Sequence, residues 1–146
     1  MKLMRIYEDI ISISGTNIEI DNRHGVGAVP HNQEIDYFGF ETEMTPDEFL
    51  SLATHTDMNS KRIKNMWDIL QRRGMGTPFL EAELIDKKDK SYWQVIGHEG
   101  RHRMAAIKQY GNPNIKIPVH IFPYKMRARD ITPEMKLLPF KSQRER

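Results

Sequence analysis

A chain of 146 residues, 38% hydrophobic and 29% charged, is long enough for one domain with a buried core and has the composition of a soluble protein. It contains no cysteine, which removes disulfides, thiolate zinc sites and thiol redox chemistry. The formal net charge of +2 excludes a bulk polycation, and no apolar run has the length of a membrane span or the pattern of a signal peptide, so a cytoplasmic location and no membrane partner are expected.

Residues 1–35 form an extension with few clear signals. Ile10 to Ile13 and Ile18-Glu19-Ile20 have the character of short strands around a Gly15-Thr16-Asn17 turn. Asn22 to Gln33 reads as a loop, and its Arg23-His24-Gly25-Val26-Gly27 stretch is either a flexible connection or a second anion nest. Tyr37 to Met44 reads as a strand. Thr45 then caps a helix, with Pro46 at its first position and Glu48 completing a capping box. Phe49, Leu50 and Leu52 supply its buried face. Asn59 or Ser60 caps a second helix, on which Ile63, Met66, Trp67 and Leu70 fall at helical spacing. Trp67 is expected as a core anchor. Lys61, Arg62, Lys64, Arg72 and Arg73 lie mostly on the opposite side, which reads as a solvated face or a nucleic-acid face.

Pro78 to Ile85 alternates Leu80, Ala82 and Leu84 with Glu81 and Glu83, the pattern of a half-buried strand. Asp86 to Lys90 reads as a charged hairpin loop leading into a strand over Ser91–Ile96. A helix over Arg103–Tyr110 follows, closed by Gly111. Asn112-Pro113-Asn114 makes a turn before a last strand over Ile115–Phe122. The C-terminal segment 124–146 carries Lys125, Arg127, Arg129, Lys136, Lys141, Arg144 and Arg146. It reads as a solvated, partly disordered tail, or as a weak and salt-sensitive contact for DNA. The elements add up to a small α+β domain with a mixed β-sheet and packed helices.

Gly97-His98-Glu99-Gly100-Arg101-His102-Arg103 carries the chemistry, and it has two readings. In the first, His98-Glu99-x-x-His102 is a zinc-hydrolase helix, with both histidines on one face and Glu99 as general base. That reading requires a continuous helix, yet Gly97 and Gly100 would each cost a helix interior about 1 kcal/mol. Arg101 and Arg103 would also repel a cation. In the second, the motif joins a strand to a helix N-terminus and cradles a phosphate. The free N–H groups and the positive end of the helix dipole suit an anion. Arg101 and Arg103 match a phosphate bidentately, and the two glycines allow close approach of the backbone.

Glu99-Gly100-Arg101-His102-Arg103-Met104-Ala105-Ala106 resembles the Asp-Gly-His-His-Arg-x-x-Ala box of the ParB/sulfiredoxin-like superfamily. The flanks resemble it in the same order: a helix from Ile63 ended by Gly74, a strand start at Thr77-Pro78-Phe79-Leu80, and a strand at Ile115-Lys116-Ile117-Pro118-Val119-His120-Ile121. The likeness spans residues 36–123. It implies a nucleoside triphosphate, ATP or CTP with Mg²⁺, whose phosphates lie against Gly97, His98, Gly100, Arg101, His102 and Arg103. It also implies candidate chemistry at Glu99, at Glu43 (with Glu41 as the lesser choice) and at His102, as in an NTPase, kinase or nuclease. Sulfiredoxins place a cysteine where this chain has Arg101, so their thiol chemistry is excluded. Partition proteins continue into further DNA-binding and dimerisation domains, for which segment 124–146 is too short. A stand-alone module of phage or bacterial DNA metabolism is the expected setting. A non-catalytic module that binds DNA or a protein partner is the second reading, and the zinc hydrolase the third.

Overall fold

The computed structural model describes residues 10–13, 16–29, 38–53 and 58–143. Gly15, Tyr37, Arg144 and Arg146, and the loop beyond residue 29, lie outside the described residues. Among those described, no helix is long and apolar enough to cross a membrane.

Two short strands, β1 (Ile10–Ser12) and β2 (Glu19–Asp21), lie close to where the sequence expects them and pair antiparallel. The main sheet contains β3 (Phe40–Met44), β4 (Phe79–Lys87), β5 (Lys90–Glu99), β6 (Ile117–Pro123) and β7 (Phe140–Lys141), in the order β3-β6-β4-β5-β7. β3–β6 and β4–β5 are antiparallel, while β4–β6 and β5–β7 are parallel, so the sheet is mixed. Among the described residues three helices accompany it: α1 (Pro46–Leu52), α2 (Ser60–Arg73) and α3 (Arg101–Tyr110). The fold is a small α+β domain, as expected from the sequence.

Alternation decides which face of the sheet is buried. Leu80 and Ala82 of β4, Trp93 and Val95 of β5, Val119 and Ile121 of β6, and Phe40 and Met44 of β3 form one inner face. Phe49, Ile63 and Leu70 from α1 and α2, with Met104, Ala106 and Ile107 from α3, close over it. Phe40 stands three strands from Trp93, which in a flat sheet is roughly 14 Å. Their ring centroids are only 5.6 Å apart, because the sheet curls around its core. The helix ends follow their sequence signals. Thr45 and Glu48 form the reciprocal capping box, Asn59 accepts from the amides of Lys61 and Arg62, and Gly74 ends α2 at φ 71°. Trp67 is partly buried against the core and stacks on Tyr110 at 6.2 Å, as an anchor should.

Three expectations are corrected. β4 and β5 run to Lys87 and from Lys90, so the hairpin has a tight two-residue turn rather than a five-residue loop. β5 continues through His98 and Glu99 with a bulge opposite Glu81 and Ala82, and α3 starts at Arg101, two residues earlier than expected. Segment 124–143 is not a free tail. Two 3-10 turns lead into β7, Ile131 is buried, and the Trp93 indole donates to Met135 O at 2.8 Å. Trp93 N donates to Pro139 O at 2.9 Å, and Gln94 Nε2 to Ser142 O at 2.9 Å. A buried indole needs an acceptor, and the outer edge of β5 needs a pairing partner. Neither need shows as periodicity in a segment so short.

The N-terminal segment is joined to the α2–β4 connection. Asp21 N donates to Met75 O, Met75 N to Glu19 O, Val26 N to Gly74 O and Gly76 N to Val26 O, at 2.8–3.0 Å. Buried Asn22 accepts from both the amide and the hydroxyl of Thr77. These bonds carry Val26 and Gly27 across to the Gly97–Arg103 motif.

Candidate phosphate cleft at the helix α3 N-terminus

An open cleft of about 420 Å³ lies where β5 meets α3. Val26, Gly27, Met66, His98, Glu99, Gly100, Arg101, His102 and Arg103 line it. Most of the motif is therefore brought together as expected. Gly97 and Glu43 are not. Gly97 sits inside β5 beside the bulge, and a Cβ there would meet only ordinary van der Waals contact with Glu81. Its expected role in backbone approach to a ligand has no basis in this geometry. Glu43 is exposed on β3, at the far edge of the sheet and paired in register with Pro118. Its strand is separated from β5 by β6 and β4, and Glu43 does not line the cleft. The structure brings no acidic pair of Glu43 and Glu99 to one site.

The zinc reading loses its premise. Glu99 ends a strand, Gly100 is left-handed at φ 115°, and only then does helix begin. His98 and His102 are therefore not successive positions on one helix face. Among the described residues no group of three or more His, Asp or Glu side chains is arranged to hold a metal.

Gly100 is the N-cap of α3 and offers no side chain to its first turn. The amides of the first turn open into the cleft with the positive end of the helix dipole. Arg101 and His102, both partly exposed, stand on this turn, and His98 precedes it. Burial and the Arg101 charge hold His98 below the usual histidine range. Burial, then the charges of Arg62 and Arg101, do the same for His102. Arg62 is exposed, in keeping with the solvated face read from the sequence, and its charge also belongs to the cleft's electrostatics. The available signal was its position one helical turn before Met66, which lines the cleft. The sequence named Val26 and Gly27 in a separate stretch and Met66 on a helix face, and did not show that they meet the motif, since they arrive from two distant segments.

Arg103 is the floor of the cleft and is 2% exposed. Its Nη1 donates to Val26 O at 2.7 Å and to Gly76 O at 2.8 Å, and its Nη2 to Glu99 Oε2. Three of its five N–H bonds are thereby engaged in holding the N-terminal loop against the motif. Its position is that of a pin first. Among the described residues Glu99 is the only carboxylate lining the cleft, and it is tied to Arg103. A metal held mainly by protein carboxylates does not fit this donor set. Mg²⁺ would enter on the phosphates it accompanies.

The second-nest reading of residues 23–27 is also corrected. Arg23 N and His24 N donate to Asp21 Oδ1, Gly25 N to Asp21 O, and Val26 N to Gly74 O. These amides are occupied in an Asx turn and in the seam to residue 74, so they do not form an anion cradle.

The chain matches no family model, no curated protein and no solved structure. The site therefore rests on its own geometry.

The depressed histidines set a pH dependence. A histidine whose folded pKa lies below its unfolded value leaves the unfolded chain holding more protons. Stability is then fully present above about pH 6.5 and is lost as pH falls below it. A phosphate between His98 and His102 reverses the preference by favouring imidazolium. We expect affinity for pyrophosphate to rise between pH 8 and pH 6, by at most about tenfold per pH unit for each histidine protonated on binding. Calorimetry across that range checks it. The His98→Gln, His102→Gln double variant should give a flat profile after correction for the ligand's own titration.

Proposed function

We propose that the chain is a stand-alone nucleotide-binding module of the ParB/sulfiredoxin-like kind, binding the phosphates of ATP or CTP with Mg²⁺ in the cleft at the α3 N-terminus. The observation that carries this reading is the uncapped first turn of α3 opening into a cleft whose rim is cationic. Anion binding at such a terminus combines free amides with the helix dipole. Arg101 supplies a guanidinium fork for the phosphate. Val26 and Met66 supply an apolar wall, suited to the uncharged part of the ligand. The cleft volume of about 420 Å³ lies within the range of small-molecule sites.

In this reading His102 is the group able to donate to a phosphate oxygen or move a proton near neutral pH. Glu99 acts mainly through Arg103, by keeping the floor in place. Hydrolysis or transfer of the terminal phosphate would rest on positioning and charge.

The test is thermal shift and calorimetry with ATP, CTP and pyrophosphate, each with Mg²⁺. A ligand that binds only the folded chain raises its melting temperature. Arg101→Ala is the diagnostic variant, because it removes rim charge without touching the floor. It should weaken binding by roughly 10- to 100-fold, the value of one charge-assisted hydrogen bond, with stability changed by less than about 0.5 kcal/mol. No shift with any of the three ligands rejects the reading.

A further inference from the structure

At the opposite end of β5, on the outer face of the sheet, three lysines converge on one ring. Lys141 Nζ lies 4.4 Å from the Tyr92 ring centroid, Lys90 Nζ 5.6 Å and Lys87 Nζ 6.0 Å. The fold enforces the convergence. Lys87 and Lys90 are directly opposed in the β4–β5 register, and Lys141 arrives on β7, whose position is fixed by pairing with Gln94 and by Gln94 Nε2 on Ser142 O at 2.9 Å. Among the described residues none of the three is ion-paired to a carboxylate. Two acids adjoin the lysines in sequence: Asp86, which accepts from the Ser91 hydroxyl, and Asp89, in the turn between Lys87 and Lys90.

Like charges placed opposite each other in a sheet are destabilising. The ring beneath them returns a modest cation–π attraction, and Lys141 holds the Lys90 ammonium below the usual lysine range. The arrangement is therefore short of negative charge. Tyr92 is only 8% exposed, so it is covered by its neighbours and is not presented for insertion into a lipid surface. Lysines are flexible point charges that match a repeating anion without fixing its orientation. The rest of this outer face carries Glu41, Glu43, Glu81 and Glu83, which confines a polyanion to the hairpin end.

We propose that Lys87, Lys90 and Lys141 form a contact site for the phosphodiester backbone of a nucleic acid. The site is separate from the cleft: Tyr92 stands six residue steps along β5 from His98, and Lys141, opposite Gln94, stands four, a separation of roughly 14–20 Å. It reads charge and spacing, without base sequence.

The experiment measures binding of a fluorescein-labelled DNA duplex of about 20 base pairs by anisotropy, over a salt series from about 20 to 200 mM KCl. The variants are the triple K87Q/K90Q/K141Q, the single Lys141→Gln, and the charge-retaining triple K87R/K90R/K141R. Wild type should bind at low salt, and the glutamine triple should lower the salt slope by about 3, near 0.9 per lost phosphate contact. Lys141→Gln should lower the slope by about 1, which keeps the test decisive if the triple variant folds poorly. The arginine triple should retain the slope. No wild-type binding at low salt overturns the proposal, as does an unaltered slope in Lys141→Gln. Equal, lysine-dependent binding to phosphatidylserine vesicles or to polyglutamate assigns the surface to another partner and also overturns it.

Discussion

Replacing Arg103 by methionine is expected to lower the melting temperature by roughly 10 °C, a loss of about 3 kcal/mol for a chain of this size. The side chain is nearly fully buried and bridges three segments through Val26 O, Gly76 O and Glu99. Methionine fills much of its volume but donates nothing. Val26 O keeps one partner, the Gly76 amide, so the loss falls mainly on Gly76 O and on the charge-assisted bonds. Part of the loss is offset, because a buried guanidinium no longer has to be desolvated. Lysine should fare little better, since one ammonium lacks the fork that reaches two carbonyls and a carboxylate together. Glu99→Gln should cost less, because Glu99 is 46% exposed and its contact is partly shared with water. Thermal and urea unfolding of the three variants give the ranking. A methionine variant melting within about 2 °C of wild type would show that Arg103 holds nothing together.

Alanine at Gly27 or at Gly100 should each cost about 2–3 kcal/mol, from left-handed strain and from a clash with Arg103. Gly27 lies at φ 79°, and a Cβ there would clash with Arg103 Nη1 and stand 2.5 Å from Cζ. Gly100 lies at φ 115°, and its Cβ would meet Pro78 Cβ at 2.6 Å and Arg103 Nη2 at 2.8 Å. An exposed arginine would swing away cheaply. This one cannot, because moving it breaks the bonds that hold the loop to the motif. The penalties at Gly27 and Arg103 should therefore not add. A double-mutant cycle of Gly27→Ala with Arg103→Met is expected to give a coupling of at least about 1 kcal/mol. Full additivity would mean that the glycine is there for its dihedral angle alone.

These two results explain how the motif was readable and yet partly misread. Its letters pointed to a strand, a turn and a helix N-terminus, because glycine, imidazole and guanidinium have local preferences visible in a short window. His98, Gly100, Arg101 and His102 do meet in the cleft. Arg103 looked equivalent to Arg101 in sequence, two positions away on the same motif. What separates them is the loop at residues 26–27, which arrives from about 75 residues upstream and buries one guanidinium while leaving the other at the rim. Glu43 was a candidate by resemblance alone, and the strand order places it at the other edge of the sheet.

The sequence by itself determined what depends on near neighbours. The capping box at Thr45, the positive-φ glycine stop at Gly74, the alternation of β4, the two short strands β1 and β2 and the helix closed by Gly111 were all written in spacings of two to four residues. Tertiary structure decided the remainder. It placed β7 against β5 and with it Lys141 over Tyr92, and pinned residues 26–27 over Arg103. Each of these contacts joins residues far apart in the chain. Such contacts are selected by the buried groups they satisfy, an indole N–H, a guanidinium or an open strand edge, and not by any local pattern.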